Sequence, residues 1–158
     1  MVHTGRAVVF EEAGYSMLGP VALNVFAPDE GNMHLLEAVA TPAQKEQWLR
    51  PMAEGHIRSC FCMTEPSPGA GSDPSMVKTT AVKKKGKWVI SGEKWFVTSA
   101  DASHVILVHA HVDGDPKKPT IFIVDKDAPG VKVDRIPKFT HNYLYEHFEM
   151  TFDKVTVD

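Results

Sequence analysis

Residues 60–73 read CFCMTEPSPGAGSD, and the fold turns on how this stretch changes character along its length. Cys60-Phe61-Cys62-Met63 has the texture of a short apolar strand. Pro66 and Pro68 have no N–H to donate to a ladder, so the strand must stop near Thr64-Glu65-Pro66. Gly69 and Gly71 let the backbone take positive φ and let a ligand approach closely, and Ser72 adds a hydroxyl. A strand that opens into a stiff loop of this kind can hold a polar ring system; a Pro/Gly loop can equally be a plain connection. Downstream, Lys94-Trp95-Phe96-Val97-Thr98 is a second apolar strand that ends in a hydroxyl.

Outward from this stretch the chain changes texture at about Ile57. From Arg58 onward, short β-rich runs alternate with turns. The pattern predicts strands at 58–63, 79–84, 87–91, 94–98, 105–111, 120–125, 131–135 and 146–157, the last one split. Lys85-Gly86 reads as a turn. Gly92-Glu93 reads as a two-residue hairpin loop with glycine first. Strands at this density without intervening helices predict an antiparallel sandwich or barrel. Before Ile57 the pattern is helical. One helix is predicted over Ala7–Met17, ended by Gly19-Pro20, and a loop over Ala27–Gly31. A second starts at Asn32 with an apolar stripe of Leu35, Leu36 and Val39. A third is capped at Thr41-Pro42-Ala43-Gln44, carries Trp48, Leu49 and Met52, and stops at Gly55. The reading is therefore α+β, with a helical segment over residues 1–57 and a β-domain over 58–158.

Bulk properties narrow the function. The net charge of −3 and pI near 6.2 argue against nucleic acid or an anionic membrane as the main partner. No apolar run is long enough to cross a bilayer, and Met1–Arg6 lacks a signal-peptide core. A cytoplasmic location, or a mitochondrial matrix one in a eukaryote, is the expectation. Cys60 and Cys62 share one strand face and read as small buried hydrophobes in a reducing compartment.

Candidate chemistry is sparse. Thr64 and Thr98 each close an apolar strand, where threonine can serve a ligand or satisfy itself locally. Phe96 shares the strand face of Thr98 and suits a flat heterocycle or a core. His109 and His111 share a face but lack a third partner with metal-ligand spacing, so no metal is expected. Glu11-Glu12 and Asp134 form no acid/base pair. The nucleophile-elbow, phosphate-loop and dinucleotide fingerprints are absent.

At Met63-Thr64-Glu65-Pro66 and Gly69-Ala70-Gly71-Ser72-Asp73 the chain resembles the signature loop of the acyl-CoA dehydrogenase family. Residues 86–99, GKWVISGEKWFVTS, resemble that family's second flavin-contacting segment, and 147–157, HFEMTFDKVTV, the strands that end its middle domain. The helices before Arg58 resemble the last ones of its N-terminal domain. The resemblance implies an FAD site. In it Phe61, Met63 and Thr64 meet the flavin pyrimidine edge, Gly71 shapes the loop, and Ser72 lies near both flavin and acyl-CoA. Phe96 packs on the isoalloxazine, and Val97 and Thr98 lie near N5. It implies α,β-desaturation of an acyl-CoA thioester with hydride transfer to FAD, and electron-transfer flavoprotein or a similar acceptor as partner. It also implies a homo-oligomeric full-length enzyme.

Three departures stand out, the first being that counterparts of the family's early N-terminal helices are missing. Ser67-Pro68 lengthens the loop before Gly69. The family's C-terminal helical bundle, which supplies the catalytic carboxylate, has no counterpart here, so the base is expected outside this chain and neither Asp29 nor Glu65 is given that role. The resemblance thus implies a truncated product that retains FAD weakly. The alternatives are a flavin- or CoA-binding module without turnover, a flavin oxidase or monooxygenase, and an interaction domain that binds neither.

Overall fold

Twelve residues, Lys87–Thr98, form the long strand that the rest of the β region is built on. In the computed structural model, which describes residues 3–140 and 146–158, the chain divides into two compact units, Met1–Ile57 and Arg58–Asp158. Met1 and Val2, part of the N-terminal stretch read above, lie outside the described residues.

The second unit carries β1 (Ser59–Cys62), β2 (Thr80–Lys84), β3 (Lys87–Thr98), β4 (Val105–Val112), β5 (Pro119–Asp125), β6 (Val131–Arg135) and β7 (His147–Val157). Hydrogen bonding joins them into one curled seven-stranded sheet in the order β1-β4-β2-β3-β7-β6, with β5 on β4. β2 and β3 form a hairpin through Lys85-Gly86, both with positive φ, as a tight two-residue turn requires. The β2–β3, β3–β7, β4–β5 and β6–β7 pairs are antiparallel as expected, but β1 and β2 both run parallel to β4. They share one edge of β4: β1 lies along Val105–Val108 and β2 along His111–Val112. Residues 63–79 leave that edge and return to it further along.

Two strand expectations are corrected. Gly92-Glu93 is not a hairpin, because β3 runs straight through it. Glycine is required there by crowding: a Cβ at Gly92 would lie 2.3 Å from Thr79 Oγ1 and 2.7 Å from Thr79 Cα. β7 is likewise continuous, and irregularities in its pairing with β3 take up the twist. The core of this unit is a cluster around Cys60, Cys62, Ile90, Val97, Ile106, Val108, Phe148, Met150 and Phe152. The two cysteines are free and buried in it, and burial pushes the Cys62 thiol up.

The first unit holds α1 (His3–Gly14), α2 (Gly19–Ala22), α3 (Asp29–Val39), α4 (Pro42–Gln44), a π-helical turn (Lys45–Leu49) and α5 (Arg50–Ala53). α1 begins earlier than expected and stops at Gly14, where the low helix propensity of glycine prevails. α3 begins at Asp29, inside the expected loop. Asp29 and Glu30 in its first turn face the positive end of the helix dipole, and Asn32 is buried within the helix rather than capping it. The Thr41 cap is as expected: Thr41 Oγ1 accepts from Gln44 N–H while the Gln44 side chain accepts from Thr41 N–H. Pro51 cannot donate back to the preceding turn, and the wider π turn just before it relieves the ring's clash.

Candidate functional site

The site is built where the end of β1 meets the end of β3. Trp95 N–H donates to Thr64 C=O at 3.0 Å, which ties the loop after β1 to β3. One residue earlier, the Lys94 side chain reaches back under the same loop. Its Nζ donates to Met63 C=O at 3.0 Å and to Glu65 Oε1 at 2.9 Å. Both side chains are inside the protein, 0% exposed for Lys94 and 3% for Glu65.

Glu65 is the hub of the loop. Its carboxylate accepts from Lys78 N–H (2.6 Å), Thr79 N–H (2.9 Å), the Thr79 hydroxyl (2.6 Å) and Lys94. Its own backbone exchanges two 3.1 Å hydrogen bonds with Gly71, which closes residues 65–71 into a ring. Gly71 has φ +56°, a conformation that costs an L side chain about a kilocalorie. Burial alone would raise the Glu65 carboxyl. The donors from Thr79, Lys78 and Lys94 outweigh it and bring it down to about 2. Burial pushes Lys94 down, while the Glu65 carboxylate holds its charge in place. The carboxylate is therefore committed to structure and is not poised as a base.

β3 carries a bulge. Its register with β7 shifts between Lys94 and Val97, and Phe96 within the shift has φ +52°. The bulge re-aims the Phe96 ring outward, where it is 48% exposed. The ring packs against Trp95 at 4.7 Å and Phe139 at 5.7 Å between centroids. Phe139 also stands edge-on to His147 at 5.3 Å. Thr98 pairs with His147 across β3 and β7, and Thr98 Oγ1 lies 2.8 Å from His147 Nδ1.

Of the residues singled out in the sequence, Met63, Thr64 and Phe61 are half-buried at the end of β1, and Ser72 is exposed beyond the ring closed by Gly71. Phe96 and Thr98 lie at the end of β3. Val97 is fully buried in the core, so only its main chain is available to a ligand at the rim. Glu65, Lys94 and His147 were missed as members of this constellation. His109 and His111 are buried, edge-on to each other at 5.7 Å, and burial lowers His109. No cluster of three or more His, Cys, Asp or Glu with metal-binding geometry occurs among the described residues.

The rim offers a flat exposed aromatic wall, main-chain groups of two strand ends and the Thr98 hydroxyl. These features fit a planar, polar-edged ring. Among the described residues, the Ser99 hydroxyl and the Trp95 indole N–H have no hydrogen-bond partner, but both are buried and are not part of the exposed rim. Two shallow cavities of about 240 and 230 Å³ flank the Glu65–Lys94 pair, and Thr64 and Thr98 line neither.

Comparisons with known proteins identify the family. Residues 60–155 match the family model for the acyl-CoA dehydrogenase middle domain. Human acyl-CoA dehydrogenase family member 11 is 34% identical over 98% of this chain, which spans 21% of that protein. A solved structure from Mycobacterium abscessus, assigned to the acyl-CoA dehydrogenases, superposes with a TM-score of 0.86. It is 36% identical and the match covers 93% of this chain and 38% of that one. A glutaryl-CoA dehydrogenase from Mycobacterium smegmatis, solved in complex with FADH2, superposes at 0.67 with 27% identity, covering 80% of this chain and 31% of that one. With two strand ends clamped at one rim and a family model matched across the sheet, the chain belongs to the acyl-CoA dehydrogenase family.

Proposed function

We propose that this chain forms the flavin-holding part of an enzyme that desaturates an acyl-CoA thioester at its α,β bond with FAD. The observation that carries the reading is the 3.0 Å hydrogen bond from Trp95 N–H to Thr64 C=O, which brings the two flavin-matching segments side by side. Bound FAD would supply the hydride acceptor. The chain's own residues bind and orient it. Met63 and Thr64 offer main-chain groups and a hydroxyl to the pyrimidine edge, and fixed donors there favour the negative charge of the reduced ring. Phe96 would wall one side of the bound ring and exclude water. Thr98, whose hydroxyl meets His147, would offer that hydroxyl to the ring. Gly71 brings the loop back so that Ser72 can face both flavin and acyl-CoA.

The proton acceptor for the substrate α-carbon is assigned to no residue of this chain. An electron-transfer flavoprotein or similar acceptor is the proposed redox partner, and the full-length protein is proposed to be a homo-oligomer. Among the described residues no helix is long and apolar enough to cross a membrane.

The test is spectroscopic. The full-length protein, titrated with FAD, should show flavin absorbance that bleaches when an acyl-CoA is added without oxygen. Absorbance without bleaching by any acyl-CoA would instead support a binding module. Bleaching followed by fast peroxide formation in air would support an oxidase. Absence of flavin binding would remove the proposal.

A further inference from the structure

The Lys94–Glu65 pair does more than balance charge. The Glu65 carboxylate already accepts three short hydrogen bonds from Lys78 and Thr79. Lys94 spends a second bond on a neutral acceptor, the carbonyl of Met63. That carbonyl belongs to the peptide that enters Thr64, and this peptide is trans. In a trans peptide the C=O and the N–H point in opposite directions. With Met63 C=O drawn in toward the ammonium, Thr64 N–H is turned away from it. The next carbonyl, that of Thr64, is held by Trp95 N–H. Consecutive residues of β3 thus clamp consecutive carbonyls of the loop, and the peptides on both sides of Thr64 are held, the one carrying Thr64 N–H by Lys94. A buried ammonium on a carbonyl also polarises the amide and makes its N–H a stronger donor.

We infer that Lys94 is a positioning residue that aims and polarises the Met63–Thr64 amide, so that Thr64 N–H is offered to the electron-rich pyrimidine edge of a bound flavin. This rests on the flavin reading above. The reduced ring holds more negative charge at that edge than the oxidised ring does, so a stronger donor favours the reduced form. Lys94 therefore raises the ratio of reduced-flavin to oxidised-flavin affinity without touching the cofactor.

The experiment uses the full-length protein and measures FAD and FADH2 affinities by anaerobic titration, with the midpoint potential by spectroelectrochemistry. Glu65→Gln alone takes away the carboxylate that holds Lys94 charged, so it serves as the background for the two Lys94 variants and not as a test of the ammonium. Lys94→Met combined with Glu65→Gln removes the ammonium without stranding a carboxylate. It should lower the ratio about tenfold, equivalent to about 30 mV for a two-electron couple. Lys94→Gln in the same Glu65→Gln background leaves a neutral donor, is gentler on folding, and should fall between. If either double variant binds FAD with the wild-type ratio, Lys94 serves only to neutralise Glu65 and the inference is wrong. If wild-type protein binds neither FAD nor FADH2, the flavin reading fails and takes the inference with it.

Discussion

Glu65 is a single carboxylate that fastens the loop after β1 to β2 and to β3. Replacing it with alanine strands the Lys94 ammonium in the interior, so Glu65→Ala is expected to lose roughly 3–5 kcal/mol in urea unfolding. The sign of the pH effect follows from its depressed carboxyl. The stabilisation is present in full above the ordinary value of 4.5 and is lost as pH falls through about 2. Acid unfolding of wild type should therefore extend into that window, and Glu65→Gln should lack this component. At the other strand end, Thr98→Val removes the hydroxyl that meets His147. FAD affinity or the rate of flavin reduction should fall in the full-length protein, and stopped-flow traces matching wild type would release Thr98 from its role. Thr64, Phe96 and Thr98 could be proposed as site residues from the sequence because each closes or lines an apolar strand. Glu65 and Lys94 were not, since a buried pair is defined by tertiary proximity between residues distant in sequence. One signal existed: Lys94 lies at even spacing from buried Ile90 along a strand, and an inward charge demands a partner.

At the scale of elements, the turn and cap chemistry was readable and the exceptions have local causes. Gly92-Glu93 carries the residues of a hairpin, yet glycine serves there to let Thr79 approach the strand. Gly92→Ala should destabilise the β unit by about 1–3 kcal/mol, with m-value unchanged, because the clash reaches Thr79 Cα as well as its side chain and a rotamer change cannot relieve it. A neutral Gly92→Ala would return the position to a turn-type explanation. In the helical unit, Thr41→Ala removes the capping box and should cost about 1 kcal/mol in thermal unfolding, with little effect on flavin binding. The start of α3 was misplaced because Pro28 and Gly31 resemble loop residues, whereas the acidic pair Asp29-Glu30 is what the first helical turn favours.

Across the whole molecule, a mixed sheet replaced the all-antiparallel one expected, and periodicity could not have revealed this. Alternation reports which face of a strand is buried but not which neighbour it pairs with. β3 and β7 pair along most of their length and carry the core residues Ile90, Val97, Phe148, Met150 and Phe152. Hydrogen exchange should find the amides of 88–98 and 147–157 the slowest, opening only with global unfolding, while 66–70 exchanges early. Faster exchange in β3 than in β6 would contradict that order. The shared edge of β4 has a further outcome for how this protein can vary. Because β1 and β2 dock on the same strand, and Glu65 bonds with Gly71 beneath them, the excursion between is a lasso whose neck is tied twice. Ser67 and Pro68 sit in the noose, so its circumference can grow or shrink by a residue or two while the knot, and whatever rests against it, keeps its place.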